Sequence, residues 1–177
     1  MSGCPYKNFR SKVLDFIKVL RTPREEFGGL PPCPFVGSEV DRDKLMIDLF
    51  DPSKNTFLEM VDSFVNSNFD SALFVQVSNT EISREETFQY QKFLNKVLKQ
   101  SGHKDLKCIC TNPSETYDAD GFNVRQHAPY FLINIANKHV LHKAHNRMLN
   151  TKYFDKMSEE YLDYLRVEKK RRRNNEE

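Results

Sequence analysis

Apolar residues fall along this chain in two rhythms. Phe9, Val13, Phe16, Ile17 and Leu20 recur at helical spacing, which predicts an amphipathic first helix. Thr22-Pro23 ends it, because the proline ring pushes the preceding residue out of the α region. From Gly28 to Phe35, glycines and prolines crowd together and predict an extended loop carrying Cys33 between prolines, with no regular element. Leu45, Ile47 and Leu49 then alternate with Met46, Asp48 and Phe50, the pattern of a strand with one apolar and one mixed face. Asp51-Pro52-Ser53 stops that strand, and Ser53 is the expected cap of a helix buried through Phe57, Leu58, Val61, Phe64 and Val65.

The run from Ala72 to Val77 is short and nearly continuous in apolar residues, as in a strand covered on both faces. Ser83 and Glu86 form a capping box ahead of Phe88, Phe93, Leu94, Val97 and Leu98, and Gly102 stands where a helix C′ glycine belongs. Leu106 to Cys110 reads as a third strand. Residues 112–128 are polar and irregular, with turn signals at Asn112-Pro113 and Asp120-Gly121. Phe131 to Ala136 reads as a fourth strand. Asn137 then caps a helix buried through Val140, Leu141, Ala144 and Met148, and Ser158 caps a last one holding Tyr161, Leu162 and Leu165.

Strands separated by helices need crossovers, which favour parallel neighbours. The expected fold is a single α/β (α+β) sandwich, ferredoxin-like or related. It has about four strands in a mixed sheet and about five helices, largely on one face. Residues 1–167 make up that domain, and residues 168–177 a basic, disordered tail.

Composition adds bounds. At 177 residues, 38% hydrophobic and 29% charged, the chain suits one core without staples. Its net charge of +2 is too small to imply nucleic-acid or membrane binding by the chain as a whole. No apolar run reaches the roughly 18 residues of a membrane span, and residues 1–10 lack a signal-peptide core, so a soluble, cytoplasmic protein is expected. Four cysteines in a chain of this length do not suggest a disulfide framework.

Cys33-Pro34-Phe35 after the first helix, the apolar strand Ala72–Val77, Asn112-Pro113 ending the third strand, and Gln126-His127-Ala128-Pro129-Tyr130-Phe131 form an ordered set. This set resembles the bacterial family named domain of unknown function 1415, over about residues 9–167. There a Leu-Cys-Pro-Phe-Ala motif, a His-Pro pair and an Asn-Arg-Ser-Pro-Tyr-Pro loop occur in the same order. This chain has Asn112 in place of the family histidine, and an amide does not titrate. The resemblance therefore implies the fold more than an activity.

Cys33 is the foremost candidate for chemistry, since a thiol held between prolines can act as a nucleophile if exposed and lowered in pKa, with His127 as its base. The alternative is a small apolar residue packed under the first helix. Asn112, Tyr117, Arg125 and Tyr130 stand in irregular segments near strand ends, where ligands bind in α/β sheets. Cys108 and Cys110 face one side of a strand and read as core rather than metal ligands, because no second pair exists. His139, His142 and His145 are spaced by three; His139 and His142 fall opposite the expected buried face, on a solvated basic face that offers at most a weak anionic-ligand surface. No metal site and no cofactor is expected.

Two functions from different classes follow. The first is a thiol-containing small-molecule enzyme or ligand-binding protein built on Cys33 and His127. The second is a non-catalytic module that holds an acidic protein or nucleic acid through the histidine-rich helix and the basic run Lys169–Arg173.

Overall fold

The computed structural model describes residues 7–77, 82–114, 119, 121–159, 162 and 163. The elements in chain order are α1 (Phe9–Arg21), α2 (Pro34–Asp41), β1 (Leu45–Phe50), α3 (Phe57–Val65), β2 (Ser71–Gln76), α4 (Arg84–Gln100), β3 (Leu106–Thr111), β4 (Leu132–Asn137) and α5 (Lys138–Leu149). Short 3-10 turns cover Glu25–Phe27, Val124–His127 and Lys152–Phe154. Among the described residues, no helix is long and apolar enough to cross a membrane.

The four strands form one mixed sheet in the order β1-β2-β4-β3. β1 and β2 are parallel, and β4 runs antiparallel between β2 and β3. The mixed α/β sandwich expected from the sequence is therefore the observed class. Every residue of β2 is buried, because it has a strand on each side and helices over each face.

The helices do not lie largely on one face, and this corrects the expectation. The crossovers β1-α3-β2 and β2-α4-β3 both step the same way across the sheet, so a common hand places α3 and α4 together. Their Met60, Val61, Phe64, Leu94 and Leu98 pack on Phe50, Phe74, Cys108, Cys110, Ile133 and Ile135. The opposite face carries Leu45, Ile47, Leu73, Val75 and Leu132 and must also leave water. Val13, Phe16 and Ile17 of α1 and Val36 of α2 cover it. A third cluster joins Phe27 to Leu149, Tyr153, Phe154 and Met157. Gly28 lets the Glu25–Phe27 turn reach that cluster: its φ is 64°, and a Cβ there would lie 2.6 Å from the Lys152 Cβ.

Local signals hold where they are chemically specific. Thr22 is extended, Ser83 and Glu86 cap α4, Gly102 takes φ 90° after it, and Asn137 caps α5. Three expectations fail. Residues 34–41 are a helix, with Pro34 in its first turn, where a missing N–H costs nothing. Thr56, not Ser53, caps α3, because Glu59 completes the reciprocal box with Thr56. Val65, Phe93 and Val140 are exposed rather than buried. The expected last helix falls mainly outside the described residues, as does the basic tail; Leu162 N–H donates to Ser158 O, as in a helical turn.

α4 also shields the free edge of the sheet. Asn95 Nδ2 donates to Cys108 O at 2.8 Å, and its Oδ1 accepts from Cys108 N at 3.0 Å. Gln91 Oε1 accepts from Cys110 N at 2.8 Å.

Candidate functional site

The structure brings some of the sequence candidates together and separates others. Cys33 is the N-cap residue of α2, and its N–H donates to Leu20 O at 2.9 Å. It packs against the cluster under α1 and α2, which also takes in Val124, Ala128 and Tyr130. The Cys33 loop and the 124–130 segment thus converge. Cys33 is half-buried, and loss of solvent pushes its thiol above its ordinary range; the N–H groups of Val36 and Phe35 oppose this, and the Glu39 carboxylate adds to it.

His127 stays exposed and stacks on Phe122, with centroids 5.1 Å apart. The Arg24 guanidinium lies 3.5 Å from the centroid of that same ring. Among the described residues, no hydrogen bond joins Cys33 to His127. Arg125 and Tyr130 are half-buried, and Lys12 Nζ lies 5.6 Å from the Tyr130 ring centroid.

Asn112 belongs to the other side of the sheet. It is 2% exposed, its amide donates to Ile82 O and Thr87 Oγ1, and its Oδ1 accepts from Ser114 N–H. Thr87 is on α4, so Asn112 is tied beneath the helix layer opposite Cys33. Tyr117 lies outside the described residues. Cys108 and Cys110 are buried, and their mutual hydrogen bond, with burial, holds the Cys108 thiol well above its usual range. Among the described residues, no three His, Cys, Asp or Glu side chains are grouped to hold a metal.

A different region has the form of a binding site. A groove of about 910 Å³ runs between the end of α4, the strand β3 and the helix α5. Strand alternation builds one wall: Cys108 and Cys110 turn into the core under α4, so Lys107 and Ile109 turn to the opposite face. The chain enters α5 directly from β4, and Lys138 N–H donates to Asp105 O at 2.7 Å, which holds the start of α5 beside the start of β3. α4 ends at Gln100 and the Gly102 turn follows, placing His103 and Lys104 at the same corner.

Four lysines line this groove: Lys99, Lys104, Lys107 and Lys138. So do His103, His139, His142 and His145, four of the five histidines in the chain. Phe35, Leu106, Ile109, Leu141 and Met148 complete the lining with Asn95, and among the described residues no carboxylate belongs to it. Two of the lining histidines face carboxylates, with Asp105 3.4 Å from His139 and Asp62 3.4 Å from His103. The Lys107 ammonium is held below the ordinary lysine range, first by loss of solvent and then by the Lys138 charge. A chain of net charge +2 thus gathers four permanent positive charges around one concavity.

The sequence placed His139 and His142 on a solvated basic face, and both are exposed; it gave no sign that this face borders a groove. Val140 is 53% exposed, so the helix is rotated from the expected face. Lys138, Leu141, His142, His145 and Met148 border the groove at intervals of three, one, three and three, Lys138 and His142 exposed and the others half-buried. That periodicity was present in the sequence, but it mixes charged and apolar residues, which a search for an apolar stripe passes over.

No protein-family model matches this chain, and neither curated proteins nor solved structures give a match to it.

Proposed function

We propose that this chain is a non-catalytic binding protein for a multiply charged anionic ligand held in the α4–β3–α5 groove. The carrying observation is a lining of eight basic side chains from α4, the turn after it, β3 and α5, with no carboxylate among the described lining residues. Clefts lined by charge of one sign, with low-dielectric walls, focus the potential and concentrate counter-ions. Phosphate groups suit the lysine donors, and four imidazoles add hydrogen bonds near neutral pH. This reading develops the anionic surface expected for the histidine-rich helix. The thiol-centred reading has weaker support, since burial at Cys33 works against the thiolate that chemistry requires.

Calorimetric titration with inorganic tripolyphosphate tests the proposal. Binding should weaken by about tenfold or more between about 50 and 200 mM salt, as screening shortens the reach of the lysines. The double variant Lys107→Glu, Lys138→Glu should remove binding while keeping the circular dichroism spectrum. Absence of binding at low salt, or equal binding by the double variant, overturns the proposal.

A further inference from the structure

The groove is not uniform along its length. At one corner, Lys138 N–H is fastened to Asp105 O, and Lys104, Lys107 and Lys138 gather around that junction. Both walls leave this corner in chain order. Along β3 the lining passes from Lys107 to Ile109, and along α5 from Lys138 to Leu141 and Met148. Phe35, from the first turn of α2, joins the apolar part. A bare inorganic anion would use the corner and leave Phe35, Ile109, Leu141 and Met148 facing water. A volume of about 910 Å³ also exceeds what a phosphate or pyrophosphate fills and falls within the range of organic ligand sites.

Resting on the anion-binding reading above, we infer that the ligand is an organic phosphate: its charged group sits among Lys104, Lys107 and Lys138, and its uncharged body lies over Ile109, Leu141, Met148 and Phe35. The two parts respond differently to conditions. The ionic contacts fade with salt, whereas contact of the body with the floor does not. Burying about 60 Å² of apolar ligand surface is enough for about tenfold in affinity. Two bodies meet this description, a flat heterocycle as in a nucleotide and a flexible acyl or alkyl chain, and the probes separate them.

The experiment compares matched pairs on the full chain: adenosine triphosphate against tripolyphosphate, and decyl phosphate below its micelle concentration against inorganic phosphate. At least one organic member should bind about tenfold tighter than its inorganic partner, with the ratio maintained as salt is raised. Leu141→Asn and Met148→Gln should each reduce that ratio by more than they reduce tripolyphosphate affinity; a native circular dichroism spectrum and thermal midpoint for each variant separate this from a folding defect. Selective gain for the nucleotide identifies a flat body, and gain for decyl phosphate a flexible one. If both ratios stay near one while tripolyphosphate binds, the inference is overturned and the anion groove stands. A single-stranded oligonucleotide that binds more tightly than either organic probe also overturns it, since the site then follows a backbone rather than a body. Failure of every anion removes both readings.

Discussion

Asn112 satisfies three polar groups at once where β3 leaves the sheet. Its amide bridges Ile82 O at 2.9 Å and Thr87 Oγ1 at 2.8 Å, and its carbonyl oxygen takes Ser114 N–H at 2.9 Å. Alanine there strands buried partners whose desolvation is no longer compensated. Asn112→Ala should lower unfolding free energy by about 1–3 kcal/mol in urea denaturation, and an unchanged midpoint would show that water replaces the amide. The side chain was visible in the sequence as a polar residue beside a turn, but its partners lie 25 and 30 residues away and left no local signal. Cys33 presents the same problem of surroundings. Its thiol pKa is raised, so the folded state favours the protonated form. The stability this contributes is complete below the unfolded pKa of about 8.5 and is lost as pH rises through the higher folded value. Iodoacetamide should therefore label native Cys33 slowly at pH 8 and label it fast in urea. Rapid labelling of the native protein would return the thiol to the list of chemical groups.

At the scale of elements, the edge of the sheet shows why α4 is placed as it is. β3 has a strand neighbour on one side only, and its outward peptide groups would template pairing with another chain. Asn95 and Gln91 answer them from α4 with the geometry of a strand. Asn95→Leu keeps the volume and deletes both bonds to Cys108. It should cost about 1–3 kcal/mol and raise self-association at high concentration, read by sedimentation velocity. A monomeric variant of native stability would show that water serves the edge equally well. Neither Asn95 nor Gln91 carried a signal in the sequence, since exposed helical amides are common. Helix ends were legible when two residues had to agree, as with Ser83 and Glu86. Ser53 misled because a single hydroxyl near a helix start is weak evidence. The pair Thr56 and Glu59 decides the boundary by satisfying two backbone donors reciprocally.

At the scale of the whole molecule, the crossing of β3 with the start of α5 sets two like charges against each other. Lys107 and Lys138 repel each other across the corner, and among the described residues no carboxylate lines the groove to relieve them. Binding sites commonly hold such unfavourable contacts until a ligand arrives. Lys107→Gln should raise the thermal midpoint at low ionic strength, and the gain should shrink as salt screens the repulsion. The same substitution should weaken tripolyphosphate binding. A lower midpoint at low salt would mean that the Lys107 stem contributes more by packing than its charge removes.

The sequence by itself determined the four strands and the helices α1, α3, α4 and α5, though not α2, with most of their ends, the complete burial of β2 and the inward turn of Cys108 and Cys110. These properties depend on residues within a few positions of one another, where periodicity and capping act directly. Tertiary structure alone decided that helices cover both faces of the sheet. It also decided that β4 inserts between β2 and β3, and so brings Lys138 against the start of β3. The groove is a product of that insertion. Its lysines and histidines come from α4, the turn after it, β3 and α5, and a charge leaves no mark on the local pattern of elements that are distant along the chain.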